Sequence, residues 1–198
     1  MKIIIVITTC FLLMGCPYVG VISSNDPDVK LSYAEDMIDA RRAIPAEELI
    51  KEAIEIYKER GDKVGLAKAY RYYGGFYKSE AFERYKAFYR ERGRDVDSHL
   101  DESLTYYQKS VDLYKETQTY DGACSSYFYM AWVSIKKGNE SQACEYFVKS
   151  LEFHKLHMKA HPDSVTILPK GFSSWEELIE YDLKEFNCYD QPNQSQEF

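Results

Sequence analysis

His154, His157 and His161 stand three and four residues apart, which puts three imidazoles on one helical face, a spacing able to hold a transition metal. No acid or cysteine is set beside them by spacing, and histidine near a helix C-terminus is favoured by the helix dipole in any case. The expectation is therefore no metal site. Cys124, Cys144 and Cys188 form no Cys-x-x-Cys pair and lack the spacing of a structural zinc site. Buried free thiols are the default reading for them, with one internal disulfide as the alternative. The chain carries no Gly-rich phosphate loop, no His-Glu-x-x-His helix and no nucleophile elbow. Glu47-Glu48 and Glu176-Glu177 fall at expected helix starts, where carboxylates complement the dipole. Nothing supports a Cys124–His154 dyad, so the chain is expected to be no enzyme and to need no cofactor.

The elements that must position these residues follow from composition. The 198 residues are 45% hydrophobic and 29% charged, enough for one domain with a sizeable core. A net charge of −7 argues against nucleic acid, which a basic surface would meet. Eighteen Tyr against ten Gly and six Pro favours aromatic packing between helices over a turn-rich β architecture.

The first residues read as an address. Lys2, the apolar run from Ile3 to Met14, and Gly15-Cys16 form a segment too short to span a bilayer and shaped like a secretory signal. Leu13-Met14-Gly15-Cys16 resembles the lipobox of bacterial lipoproteins. That resemblance implies cleavage before Cys16, diacylation of its thiol and acylation of the new amine; several acyl chains anchor durably where one does not. Pro17 after the lipidated cysteine is similar to the outer-membrane sorting signal of such proteins, which implies a periplasm-facing, outer-membrane location.

Beyond Ser23-Ser24-Asn25-Asp26-Pro27-Asp28 the pattern is helical almost throughout. Ser32 with Glu35 has capping-box spacing, and Pro45 suits the first turn of the next helix. Ala46-x3-Ile50-x2-Ala53-Ile54, Ser103-x3-Tyr107-x2-Ser110-Val111 and Ala143-x3-Phe147-x2-Ser150-Leu151 align at offsets of 57 and 40 residues. Upstream partners are Tyr70-x2-Tyr73-Gly74-x2-Tyr77 and Tyr127-x2-Met130-Ala131, with Tyr33-Ala34 and Met37 as a short first one. The small residues Gly74 and Ala131 let paired helices approach closely. Over roughly residues 31–158 this pattern resembles the tetratricopeptide repeat (TPR). The resemblance implies an all-α, TPR-like helical-hairpin solenoid of about three repeats that binds partners on the wall formed by the first helix of each pair. Mapped onto this sequence, that wall holds Lys68, Arg71 and Lys78 from one repeat and Phe128, Trp132, Ile135 and Lys136 from the next. Cations beside an aromatic shelf suit an extended peptide.

Between the paired helices of the second repeat, residues 79–98 are an insertion. Phe82, Tyr85, Phe88, Tyr89 and Arg92 keep a helical period, which predicts that the helix before them runs on for extra turns as a basic, Tyr-rich projection. Its basic character suits anionic headgroups or an acidic partner, or simply a solvated face. Past Pro162 the periodicity stops, and Ser174-Trp175-Glu176-Glu177 opens a last helix that caps the stack. The expected organisation is a signal peptide at 1–15, a lipid-anchored linker at 16–30, repeats at 31–160, a loop and capping helix at 161–190, and a flexible tail at 191–198. The expected function is a lipid-anchored periplasmic scaffold or adaptor binding other proteins in envelope or secretion-system assembly. An immunity-type lipoprotein that neutralises a periplasm-targeted toxin is the alternative.

Overall fold

The computed structural model describes residues 24–165, 168 and 170–189. The expected leader at 1–15, the lipidation site Cys16 and the tail at 191–198 lie outside the described residues. The described residues are all-helical, with no strand among them: α1 (Pro27–Asp39), α2 (Ala43–Arg60), α3 (Lys63–Lys78), α4 (Glu80–Glu91), α5 (His99–Glu116), α6 (Tyr120–Lys136), α7 (Glu140–Ala160) and α8 (Trp175–Glu185). None of these helices is long and apolar enough to cross a membrane.

Helix α1 packs on α2, α3 on α5, and α6 on α7; α2 against α3 and α5 against α6 join the three pairs in order. The residues that recur at offsets of 57 and 40 are what each pair buries. Ile50, Tyr107 and Phe147 are fully enclosed, and the small residues Ala46, Ala53, Ser103, Ser110, Ala143 and Ser150 lie beside them with no exposed surface. A buried hydroxyl needs a partner, and each serine here has one on the helix it packs against. Ser103 Oγ donates to Gly74 O at 2.7 Å, Ser110 and Ser126 share a 3.1 Å bond, and Ser150 Oγ donates to Cys124 O at 3.0 Å.

The same offsets relate Tyr57, Tyr114 and His154, all buried. Tyr114 lies so close over Gly122 that a Cβ there would sit 2.5 Å from its Cζ, so a glycine is what lets α6 approach α5. His154 is thus the third residue of a packing series, and burial pushes its imidazole below the usual histidine range.

Two boundaries differ from the sequence reading. The first helix starts at Pro27, capped by Asp26, whose side chain accepts from Asp28 N at 2.9 Å; Ser32 lies within the helix and caps nothing. The second difference is larger. Helix α3 does not run on: Ser79 turns extended (φ −75°, ψ 156°), its Oγ donates to Phe76 O at 2.7 Å and accepts from Phe82 N at 3.2 Å, and α4 starts afresh. Instead of projecting, α4 folds back onto the first core, where Phe82 stacks on Tyr89 (5.2 Å) and His99 (5.5 Å) and meets Phe76 edge-on. Ala81, Phe82, Tyr89 and Val96 are buried there among α1, α2 and α3 residues. The apolar side of α4 needs that burial, which a free projection cannot supply.

At the other end, Asn139 caps α7, and Ser174 caps α8 where the sequence places the start of the last helix. A disulfide between Cys144 and Cys188 ties the end of α8 to α7, which settles the cysteine question in favour of the alternative; Cys124 is free and buried. Ile179 and Leu183 complete the last core cluster with Phe147 and Ala131.

Candidate functional site

Helix α3 presents Lys68, Arg71 and Lys78 at steps of three and seven residues, one stripe of a helix. This stripe borders a groove between α1, α3 and α6. It holds a pocket of about 250 Å³ lined by Glu35, Ile38 and Asp39 from α1, Arg71, Tyr72, Gly75 and Lys78 from α3, Tyr107 from α5 and Tyr129 from α6. Arg71 also lines a neighbouring hollow with Lys68, Asp28 and Asp121.

The three cations are not equivalent. Lys68 donates to Asp28 Oδ1 at 2.7 Å and is engaged. Arg71 has no ion-pair partner among the described residues. Lys78 lies 4.6 Å above the Tyr129 ring. Burial, and then the nearby Lys136 ammonium, push its amine down to about 8. Lys136 itself donates to Lys78 O at 3.1 Å, satisfying a terminal carbonyl of α3, and stands 3.5 Å from Glu83. A half-desolvated ammonium against an aromatic face, with no carboxylate closed on it, binds anions more strongly than a solvated lysine does.

The remaining predicted residues lie elsewhere. Phe128 packs on Trp175 (5.1 Å) and Phe147 (5.8 Å), and Trp132 meets Phe147 and Phe186 edge-on at 6.1 and 5.7 Å. Ile135 packs against the same cluster. The residues expected to form one continuous wall are therefore divided: the α3 cations open into the groove, while Phe128, Trp132 and Ile135 serve as the seat of α8 and its following turn. Trp132 keeps 39% of its surface exposed, on the margin of that seat.

Sequence reasoning missed Glu35, Asp39, Tyr72 and Tyr129. The signal for the tyrosines was present, because Tyr72 and Tyr129 are 57 residues apart and so occupy equivalent positions of α3 and α6. The acids were missed because spacing along α1 does not show that this helix lies opposite α3.

The other residues singled out in the sequence lie apart from this groove. His157 Nε2 is 3.0 Å from Ser164 Oγ, His154 is buried, and among the described residues no three His, Cys, Asp or Glu side chains converge to hold a metal. Cys124 Sγ is 3.5 Å from Ser150 Oγ, and burial pushes its thiol up to about 11, away from the thiolate a nucleophile requires. Glu47 lies past the first turn of α2, buried, and accepts hydrogen bonds from Tyr73 (2.8 Å), Lys51 (2.8 Å) and Arg94; its role is in the core rather than at a helix start.

Comparison of the chain with known protein families, with curated proteins and with solved structures gives no match.

Proposed function

We propose that this chain is a TPR-like adaptor, held by lipid on Cys16 to the periplasmic face of the outer membrane, that binds other proteins in envelope or secretion-system assembly. The observation that carries the reading is the groove between α1, α3 and α6, where Arg71 and Lys78 border a pocket with aromatic walls and no ion pair closes on them among the described residues. Three successive helix pairs whose buried small and large residues repeat at offsets of 57 and 40 support the repeat resemblance. The Cys144–Cys188 bond supports an oxidising compartment, as an exported protein would meet. An anchor confines the protein to a thin shell and raises its effective concentration toward other membrane-bound components.

The groove grips and does not react: Lys78 and Arg71 take carboxylates, and Tyr72 and Tyr129 offer flat apolar faces. The test is affinity purification of the full-length protein from its own envelope, beside Arg71→Glu. Resident envelope proteins retained by the wild type and lost from the variant are the expected result. Equal recovery from both would end the groove reading, and recovery of one secreted toxin would replace the adaptor with an immunity protein. Mass spectrometry should find acyl chains on Cys16; an unmodified Cys16 removes the anchor from the proposal.

A further inference from the structure

The pocket in this groove carries charges of both signs. Lys78 and Arg71 come from α3, Glu35 and Asp39 from α1, yet among the described residues no ion pair joins either cation to either acid. Glu35 has only a long 3.3 Å bond from Tyr72 Oη. Opposite charges that border one small cavity without meeting leave a gap that a dipolar guest can span, pairing with both sides at once, whereas a guest of one sign pairs with one side only.

A second observation points the same way. Tyr107 is 1% exposed and lines the pocket. Gly75 lines the pocket beside it: a Cβ there would lie 3.5 Å from Tyr107 Oη, so the glycine leaves room next to the hydroxyl. A hydroxyl at a cavity wall can donate to or accept from a polar atom of a guest. Tyr129 stacks on Tyr107 at 5.7 Å and gives the pocket an aromatic wall. About 250 Å³ is small for a drug-sized guest and ample for an amino acid.

We propose that this pocket binds a small zwitterion of the α-amino-acid class with an apolar or aromatic side chain. The carboxylate lies toward Lys78 and Arg71, the ammonium toward Glu35 and Asp39, and the side chain against Tyr129. The proposal rests on the reading of the groove as the recognition face and adds to it a small ligand of defined charge pattern.

The experiment is isothermal titration calorimetry of the full-length protein with L-phenylalanine, N-acetyl-L-phenylalanine and L-phenylalaninamide. The free amino acid is expected to bind, and each singly charged analogue to bind at least about tenfold more weakly. Lys78→Met and Glu35→Gln are each expected to lose about tenfold or more while far-ultraviolet circular dichroism stays unchanged. Equal affinity for N-acetyl-L-phenylalanine would reduce the pocket to a carboxylate site and overturn the proposal. So would the absence of saturable heat with L-phenylalanine up to about 10 mM, or full affinity in both variants. Protein capture is a separate readout: its failure with amino-acid binding intact removes the adaptor, and the reverse result removes only this pocket.

Discussion

Arg94, at the end of the inserted segment, donates to the buried carboxylate of Glu47 on α2, 47 residues earlier in the chain. The same guanidinium lies 4.6 Å over the Tyr89 ring, and Glu47 also accepts from Lys51 and Tyr73. One ion pair thus fastens the insertion to the first helix pair. Burial raises the carboxyl of Glu47, but the hydrogen bonds from Arg94, Lys51 and Tyr73 outweigh it and hold the group down to about 2.

That pair predicts an acid-sensitive core. The folded-state value lies below the usual 4.5, so the stabilisation is complete above 4.5 and is lost as pH falls toward 2. The shift corresponds to about 3 kcal/mol at neutral pH. Glu47→Gln strands Arg94 and should cost about 3 kcal/mol in urea denaturation at pH 7. Glu47→Leu combined with Arg94→Met should recover most of it, since neither charge then remains buried.

Lys78 is expected to show the opposite economy. Its ammonium is disfavoured in the folded state, with a value of about 8 against the usual 10.5. Below 8 the chain carries the full penalty; between 8 and 10.5 the folded protein sheds the proton and the penalty fades. Lys78→Met should therefore stabilise by about 2 kcal/mol at pH 7 and by almost nothing near pH 11, measured by denaturant midpoints across that range. A residue whose removal stabilises the fold and abolishes ligand binding is one kept for recognition.

Reduction should loosen one end of the molecule. The Cys144–Cys188 link closes a loop across a separation of 44 residues, for which chain entropy alone gives about 4 kcal/mol. Cys188→Ser is expected to lower stability by about 2–4 kcal/mol. Because Trp175 lies on α8 and Trp132 meets Phe186 just beyond it, release of this segment should red-shift tryptophan emission before the first helix pairs unfold.

Close approach of α5 and α6 makes a fourth prediction. An alanine at 122 gains helix propensity of about 1 kcal/mol but places its Cβ within the Tyr114 ring. Overpacking outweighs the gain, and Gly122→Ala should destabilise by about 2 kcal/mol in chemical denaturation. Adding Tyr114→Leu should relieve part of that cost.

The helical period, the turns at Gly61-Asp62 and Lys137-Gly138, and the caps at Asn139 and Ser174 could all be read from the chain, because each depends on residues within a few positions of one another. The break at Ser79 was also written locally: a capping serine followed by Glu80 and Glu83 is a helix start, but the continuing apolar period masked it. The half of the candidate site on α3 was legible as a stripe of cations. Its other half was not, because spacing along one helix carries no information about which helix lies opposite.

What the sequence determined by itself is therefore the helical character of the chain and its repeating small and large positions, Ala46, Ser103 and Ala143 beside Ile50, Tyr107 and Phe147. Tertiary packing alone decided that α4 returns to the first core, that Arg94 meets Glu47, and that Cys144 finds Cys188. It also decided that α8 covers Phe128 and that Glu35 borders the same pocket as Lys78. Hydrogen bonds along a helix act over four residues, whereas Arg94–Glu47, Cys144–Cys188, Phe128–Trp175 and Glu35–Lys78 join residues 43 to 47 positions apart, and only burial of a shared core selects among the many ways such helices can pack.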